Sequence, residues 1–372
     1  MFLSLPLTLL GGLFYKPIAT PIVPANDGTG TQVEQTPGTS IPEITPSGQG
    51  DHPTGQPPNH YIIRGGSPSN DGSNLFHSFE HFGLNTGSTA TFISPALVNN
   101  IFGRVVGGQG SLINGTLRIT GSDASLFLLN PAGVLFGPNA QLDLPAAFTA
   151  TTATGISFGG DIMWDSTTQN YGALMGTPQA FQFGVDPGSI INLGQLSVVP
   201  GGRLSLLSGI VVNRGVLFAP GGEVMVVAVP GGQLLRFSAP GQVLSLELER
   251  SPELSPLSVS TSAPAIAPLS LGELLTGAGP NVATDIQVDA AGRITLSGRD
   301  LNTAATSIAA QPGDAIASGK ISAASATGIG GTVAITGDRV IATAATIQAT
   351  GPTGGGQVYL GGAFQGGAAL LG

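Results

Sequence analysis

Short apolar segments separated by turn residues recur along the chain from Tyr61-Ile62-Ile63 onward. Each segment is only a few residues long, and Gly, Pro, Asn or Asp stands between one segment and the next, which is typical of strands rather than helices. The pattern therefore predicts an all-β protein. The candidate strands in the first half are Thr89–Ile93, Asn100–Val106, Leu112–Ile113, Thr116–Ile119, Ser125–Leu129, Val134–Phe136, Gln141–Leu144, Ala147–Thr151 and Gly155–Phe158.

Beyond Ser189 the segments share one form, in which a Gly is followed by alternating polar and apolar residues. Their starting glycines recur at about one or two lengths of a roughly 20-residue coil, which is the spacing that successive coils of a parallel β-helix produce. Because parallel crossovers are almost always right-handed, we predict a right-handed single-stranded parallel β-helix. These segments begin at Gly194, Gly202, Gly222, Gly292, Gly331 and Gly356.

A sharp corner is predicted where Asn130-Pro131-Ala132-Gly133 separates Ser125–Leu129 from Val134–Phe136. Pro fixes its own φ, while Asn and Gly tolerate backbone conformations that other residues avoid. Two buried strands joined by so tight a corner fit one coil of a solenoid. Alternation should turn part of the set Phe127, Leu129, Val134 and Phe136 inward.

Changes in composition predict five segments. Residues 1–25 hold an apolar stretch without a preceding positive charge, which indicates a degenerate signal peptide or a gene model that starts at the wrong codon. Residues 26–59 are rich in Pro, Thr and Gly and are interpreted as a disordered leader. A first β-rich domain should span 60–240. An insertion at 241–285, in which Ser270–Leu275 could form one helical turn, precedes a β-helical extension at 286–372.

Composition narrows the function classes. The net charge is −9 and only 9% of the residues are charged, which argues against a nucleic-acid partner because such proteins need clustered Lys and Arg. The chain has no Cys, so it can form neither a disulfide nor a thiolate metal site. Gly and Pro number 58 and 28, but 41% of residues are hydrophobic, so apolar surface is available for burial.

Four sequence blocks carry a resemblance to a known family. They are Asn74-Leu75-Phe76-His77-Ser78-Phe79, Asn100-Ile101-Phe102-Gly103-Arg104-Val105, Gly121-Ser122 and the stretch Asn130–Ala140. Together they resemble the haemagglutination-activity domain at the N-terminus of filamentous haemagglutinin, over roughly residues 60 to 185. The chain departs from the family pattern at Ala132, where the family commonly has a second Asn.

The resemblance implies a two-partner secretion exoprotein of a diderm bacterium. Such a protein crosses the periplasm, binds the POTRA domains of a dedicated outer-membrane barrel and leaves the cell through it, with no cofactor. The product would be a surface adhesin or structural protein with a cell-surface or carbohydrate ligand. For Asn130, Pro131, Ala132 and Gly133 two roles stay open: recognition by the transporter, or a folding corner only.

Parts of the sequence fit two enzymatic alternatives. His77-Ser78-Phe79-Glu80-His81 fits the H-x-x-E-H pattern of inverted zinc peptidases, but that chemistry needs a helix, and a packed strand or turn with His at the solvent edge is preferred. A β-helical polysaccharide-active enzyme would need carboxylates clustered on one face. The acidic residues Asp123, Asp143, Asp161, Asp165 and Asp186 are scattered among turns instead. The sequence therefore predicts no catalytic or metal-binding residue.

Overall fold

The computed structural model describes residues 21–37, 59–159, 162–166, 168, 170–237, 246–250, 285–288, 293–297 and 307–361. Nearly all regular structure in these ranges is β-strand, apart from a 3₁₀ turn at Tyr171–Ala173. The predicted helical turn at 270–275 lies outside the described residues, and so do residues 1–20 of the signal peptide predicted at 1–25.

The chain winds into coils that each contribute strands to three faces, here called A, B and C. Face A contains β5 (Asn74–His81), β7 (Asn100–Val105), β10 (Ser125–Leu129), β13 (Phe148–Thr151), β19 (Arg203–Ser208), β22 (Glu223–Ala228), β30 (Thr332–Thr336) and β33 (Gln357–Gly361). Face B contains β3 (Asn59–Gly65), β6 (Thr89–Ile93), β9 (Thr116–Thr120) and β12 (Gln141–Asp143), and continues in β18 (Gln195–Ser197), β21 (Val216–Phe218), β29 (Lys320–Ser322) and β32 (Thr346–Gln348). Face C contains β8 (Ser111–Ile113), β11 (Val134–Phe136), β17 (Ser189–Asn192), β20 (Ile210–Asn213), β28 (Asp314–Ala317) and β31 (Arg339–Ala342).

Within each face, a strand pairs in parallel with the strands of the coils before and after it. In β10, for example, Leu126 is in register with Ile101 of β7 and Phe148 of β13. Alternate residues point inward, and the inward set forms one apolar core that runs the length of the coils. Leu126 and Leu128 belong to it and have no exposed surface. Each such side chain stabilises the fold by about 1.5–3 kcal/mol, so the ladder and core together hold the coils in register.

A second sheet covers the outside of face A. It consists of antiparallel strands that leave the helix after β13 and β22: β14 (Gly155–Ser157), β15 (Met163–Trp164), β16 (Ala180–Gln182), β23 (Gln233–Phe237) and β24 (Leu246–Arg250). The outward side chains of Phe76, Phe102 and Phe127 stack in successive coils, with ring centroids 4.9 and 4.7 Å apart. Trp164 and other aromatic residues of this outer sheet pack on them and make a second apolar cluster.

The first coil is covered by antiparallel strands, β1 (Val23–Pro24) and β4 (Ser67–Pro68) on face A and β2 (Thr31–Pro37) on face B. A disordered leader was expected over residues 26–59, and the pairing of β2 corrects that expectation for residues 26–37. Residues Thr31–Pro37 have little apolar character, but seven residue pairs join them to β3, and Val33 packs against the core. Backbone pairing on an existing edge therefore orders a polar segment. Residues 38–58 of the predicted leader lie outside the described residues.

The predicted fold class is confirmed: the chain forms an all-β, single-stranded parallel β-helix with part of its length outside the helix. One of the six glycine-led segments differs. β26 (Arg293–Ser297) pairs antiparallel with β25 (Asp285–Val288) and β27 (Ser307–Ala309), not in parallel with a coil. An alternating strand is compatible with either kind of sheet, so its pattern alone could not decide.

Candidate functional site: the Asn130–Gly133 corner

The corner Asn130–Gly133 joins face A to face C, between the end of β10 and the start of β11. The chain of the preceding coil turns beside it at Gln109 and Ser111, and the following coil passes it at Gly188. The site is therefore a corner in the interior of the stack, with a neighbouring coil on each side.

The Asn130 side chain makes three hydrogen bonds and is 1% exposed. Its Oδ1 accepts from the backbone N–H of Ala132 at 3.0 Å, which closes the turn on itself. Its Nδ2 donates to the carbonyl of Gln109 and to Oγ of Ser111, both at 2.9 Å. The backbone N–H of Asn130 donates to the carbonyl of Thr151 at 2.9 Å. One residue thus connects three consecutive coils.

Gly133 adopts φ of 112°, which L side chains rarely adopt, so a larger residue here would be strained. Its N–H donates to the Asn130 carbonyl at 2.9 Å, and its own carbonyl accepts from the Ser111 N–H at 3.0 Å. On the other side, the Gly188 N–H donates to the Pro131 carbonyl at 3.2 Å. A Cβ on Gly188 would come within 2.5 Å of that carbonyl oxygen, so the two coils approach closely.

Little of the corner faces solvent. Ala132 is exposed and Pro131 is half-buried, whereas Asn130 and Gly133 are buried. A molecule that contacted the folded corner would meet a methyl group and a pyrrolidine ring, not the polar side chain. The neighbours Gln109, Ser111 and Gly188 were not identified from the sequence, because nothing local in their segments marks them as partners of a corner elsewhere in the chain.

His77 lies in strand β5, not in the helix that zinc-peptidase chemistry would require. It points into the core beside the rings of Phe79 and Phe92 and has no exposed surface. The expectation of a solvent-edge position is therefore wrong for this residue: the strand's alternation places His77 on the same side as Leu75 and Phe79. Burial lowers the pKa of His77 to about 4, so the imidazole is neutral at pH 7.

The Nδ1 of His77 lies 3.4 Å from Oγ1 of Thr31, and its Nε2 has no hydrogen-bond partner. Glu80, the carboxylate of the same motif, is exposed. Among the described residues, no group of three or more His, Asp or Glu side chains could hold a metal ion.

The acidic residues considered for glycoside chemistry that the structure describes do not belong to any cluster of three or more acidic or His side chains that could hold a metal ion. Asp143 forms an exposed ion pair with Arg118 at 2.6 Å, and the backbone carbonyl of Asp165 accepts a hydrogen bond from Arg104. Asp123 and Asp186 are exposed, in loops before and after other strands. Asp161 lies outside the described residues.

Arg104 is a buried charged residue that the sequence analysis did not single out. It is 5% exposed, forms an ion pair with Asp27 at 3.5 Å, and has its guanidinium carbon 5.1 Å from the centre of the Trp164 ring. Burial would raise the pKa of Asp27, but hydrogen bonds from neighbouring hydroxyl groups and the charge of Arg104 lower it below its usual value. Arg104 thereby joins the N-terminal segment, face A and the outer sheet.

None of the helices within the described ranges has the length and apolar character needed to cross a membrane. A search of curated proteins finds no match. Among solved structures, the chain is similar to the HMW1 secretion domain from Haemophilus influenzae, at 19% identity and a TM-score of 0.42, with 88% of this chain and 76% of that one covered. It is also similar to the filamentous hemagglutinin secretion domain, at 12% identity and a TM-score of 0.39, with 92% and 97% covered.

The sequence model of the TPS secretion domain family matches residues 42–254, which is more than half of the chain. The matched range contains the corner at Asn130–Gly133, the strands on which it rests and all five strands of the outer sheet. The chain belongs to the TPS secretion domain family, the secretion domains of two-partner secretion exoproteins of Gram-negative bacteria.

Proposed function

We propose that this chain directs export across the outer membrane through a dedicated barrel that carries POTRA domains. The observation that carries the proposal is the family match over residues 42–254. The domain organisation that goes with it is a secretion domain at 60–240, an insertion at 241–285 and a β-helical extension at 286–372. Support for the extension comes from β28, which pairs in parallel with β20 and so continues face C after the insertion.

The mechanism we propose is stepwise. The chain reaches the periplasm unfolded, and extended segments add to exposed strand edges of the POTRA domains by β-augmentation. It is then threaded through the barrel and folds outside the cell. Each new coil gains a ladder of backbone hydrogen bonds and buries apolar side chains on the coil before it, which makes return through the barrel unfavourable. No cofactor and no nucleotide takes part.

The corner Asn130, Pro131, Ala132 and Gly133 has a folding role in this proposal, and recognition by the transporter is its alternative. The folding role is supported by the burial of Asn130 and by its bonds to the coils on either side. Recognition would act on the unfolded chain, in which the whole motif is accessible. In the folded chain only Ala132 and part of Pro131 can be contacted.

The exported product is proposed to be an adhesin or structural protein at the cell surface, with a cell-surface or carbohydrate ligand. We propose no enzymatic activity and no nucleic-acid partner. The net charge of −9 supports the absence of a nucleic-acid partner, because phosphate groups would repel a chain of this charge.

The test is secretion of the full chain from cells with and without the partner barrel. Export should require the barrel, and Asn130→Ile with Gly133→Val should block it while synthesis continues. Ala132→Glu is the matched control, since it changes the exposed residue of the same corner and leaves the buried bonds intact.

The two roles of the corner separate on the purified variants. If the double variant fails to bind isolated POTRA domains but keeps its β-sheet circular dichroism, recognition is supported; if it loses the fold, the folding role is supported. Export that does not depend on the barrel would refute the proposed function. Normal export of the double variant would show that the corner is needed neither for folding nor for recognition by the transporter.

A further inference from the structure

The first coil is closed by residues 22–37, which contain β1 and β2 and are here called the N-terminal cap. β1 pairs antiparallel with β5 of face A, and β2 pairs antiparallel with β3 of face B. Ile22 of the cap is buried in the apolar core, and Val33 packs against the same core from β2. The cap therefore covers the core on two faces with antiparallel strands, whereas the coils that follow are joined by parallel ladders.

The cap is attached to β5 at His77 and Ser78. The Ser78 N–H donates to Oγ1 of Thr31 at 3.0 Å, and the Ala25 N–H donates to the Ser78 carbonyl at 3.0 Å. The same Thr31 hydroxyl lies 3.4 Å from Nδ1 of His77. Because Thr31 is the first residue of β2, a displacement of the His77 ring would act directly on the start of the cap strand.

The groups around the His77 imidazole carry no charge. They are the Thr31 hydroxyl, the rings of Phe79 and Phe92, and the backbone at Gly66, where an added Cβ would lie 2.9 Å from Cε1 of the ring. His77 has no exposed surface, and its Nε2 has no hydrogen-bond partner. A proton on this ring would place a charge in an apolar site without a compensating carboxylate, which is costly.

The charged groups of the surrounding elements lie elsewhere. Glu34, Arg64 and Glu80 are exposed. Asp27 and Arg104 form their ion pair on the outward side of face A, and Asp27 stays ionised above its ordinary pKa of 3.8, because its pKa in the folded chain is lower. Two further histidines lie beside the cap: His60 on β3 is exposed, and His81 on β5 is half-buried.

We propose that the N-terminal cap is an acid-sensitive closure: protonation of His77 releases residues 22–37 from the first coil while the later coils stay folded. Nε2 takes up the proton, and the imidazolium reaches water only when Thr31 and the cap move away from the ring. The later coils keep their parallel ladders and their core, so they have no part in the release. Return to neutral pH removes the proton and lets the cap close again.

The size of the effect follows from the two protonation equilibria. In the closed chain the pKa of His77 is about 4, because the ring is buried, and in the open chain it returns to 6.5. The proton therefore binds the open state more tightly, and the equilibrium constant for opening should rise about 20-fold between pH 7 and pH 5.

Hydrogen–deuterium exchange of the full chain, read by mass spectrometry, tests the closure. After correction for the intrinsic effect of pH on exchange, peptides from residues 22–37 should lose protection about 20-fold between pH 7 and pH 5. Peptides that contain β10 should keep their protection. The loss should reverse when the sample returns to pH 7. Unchanged protection of the cap would overturn the proposal, and so would an equal loss in β10, which would show unfolding of the whole chain.

Two variants assign the response to one residue. His77→Leu keeps an apolar group among Phe79 and Phe92 and should remove the pH dependence of cap protection. His60→Gln with His81→Gln is the matched control, because it removes the two neighbouring histidines and should leave the full response. The control decides even if the leucine variant does not fold: a response that this control loses belongs to His60 or His81 and would overturn the proposal, as would a response that His77→Leu retains.

Discussion

The Nδ2 atom of Asn130 donates a 2.9 Å hydrogen bond to Oγ of Ser111, its neighbour in the preceding coil, and both side chains are buried. The corner of one coil is therefore seated on the corner of the coil before it through side chains as well as through the backbone ladder. Such a bond fixes how the two coils are aligned, because the amide can reach Ser111 and the Gln109 carbonyl only in this register.

Asn130→Ala should lower the free energy of unfolding by about 2–3 kcal/mol. The change removes three hydrogen bonds at roughly 1 kcal/mol each and leaves the Ser111 hydroxyl and the Gln109 carbonyl without this donor. Urea denaturation followed by circular dichroism measures the effect. Ala132→Ser, at the exposed position of the same corner, should stay within about 0.5 kcal/mol of the parent. Equal stabilities of the two variants would mean that the Asn130 amide does not hold the coils together.

The two phenylalanines beside the corner should differ in their contribution to stability. Phe136 is fully buried in the core, with its ring 6.0 Å from that of Phe148, so Phe136→Ala should cost about 3–5 kcal/mol. Phe127 points outward, stacks on Phe102 and is only half-buried, so Phe127→Ala should cost about 1–2 kcal/mol. Both are measured by denaturant unfolding. The strand assignment would be contradicted if Phe127→Ala proved the more damaging substitution.

Stability should fall on acidification because of His77. Its folded-state pKa of about 4 lies below the ordinary value of 6.5, so the unfolded chain binds a proton in the window between these values and the folded chain does not. The contribution of His77 to the free energy of unfolding is therefore complete above pH 6.5 and is lost as the pH falls towards 4. The difference between the two pKa values corresponds to about 3 kcal/mol of this free energy.

The His77 contribution can be isolated with His77→Leu, which keeps an apolar group among Phe79 and Phe92 and cannot be protonated. Unfolding free energies of the variant and the parent should be compared between pH 7 and pH 4. The variant should lose much less stability over this range. If both proteins follow the same pH profile, other groups control the acid sensitivity.

The local sequence pattern was sufficient to predict the strands and the corner. Gly133 adopts the positive φ that its position after Asn-Pro indicates, and Val134 and Phe136 point inward as alternation requires. The pattern could not show that Leu129 faces outward into a second apolar cluster, because a strand covered on both sides has apolar residues at every position. The outer sheet that covers it is built from segments distant in the chain.

Long-range polar contacts were also beyond the sequence. Arg104 meets Asp27 and Trp164, and no local spacing connects these three residues. The same holds for β2, whose polar residues are ordered by pairing with β3 and not by their own apolar character. A pattern reports how one segment alternates, whereas these contacts depend on which segments the completed fold brings together.

The last prediction concerns Arg104 as the residue that fastens the outer sheet to face A. Trp164 is the only tryptophan of the chain and is fully buried, so its fluorescence reports whether the outer sheet is docked. Arg104→Ala removes the ion pair with Asp27, the hydrogen bond to the Asp165 carbonyl and the contact with the Trp164 ring. Because the Arg104 side chain is buried and that of Asp27 only partly so, the loss should be about 2 kcal/mol.

In the Arg104→Ala variant, the Trp164 emission should shift to longer wavelength and acrylamide should quench it more strongly, while the far-ultraviolet circular dichroism of the β-helix stays close to that of the parent. Arg118→Ala is the control, because it breaks an exposed ion pair with Asp143 that should contribute no more than about 1 kcal/mol. Arg104→Lys separates charge from shape: lysine keeps the ion pair but not the planar contact with the ring, so it should restore only part of the parent emission. Parent-like fluorescence and stability in Arg104→Ala would show that the apolar contacts of Trp164 with Phe76 and Phe102 hold the outer sheet without it.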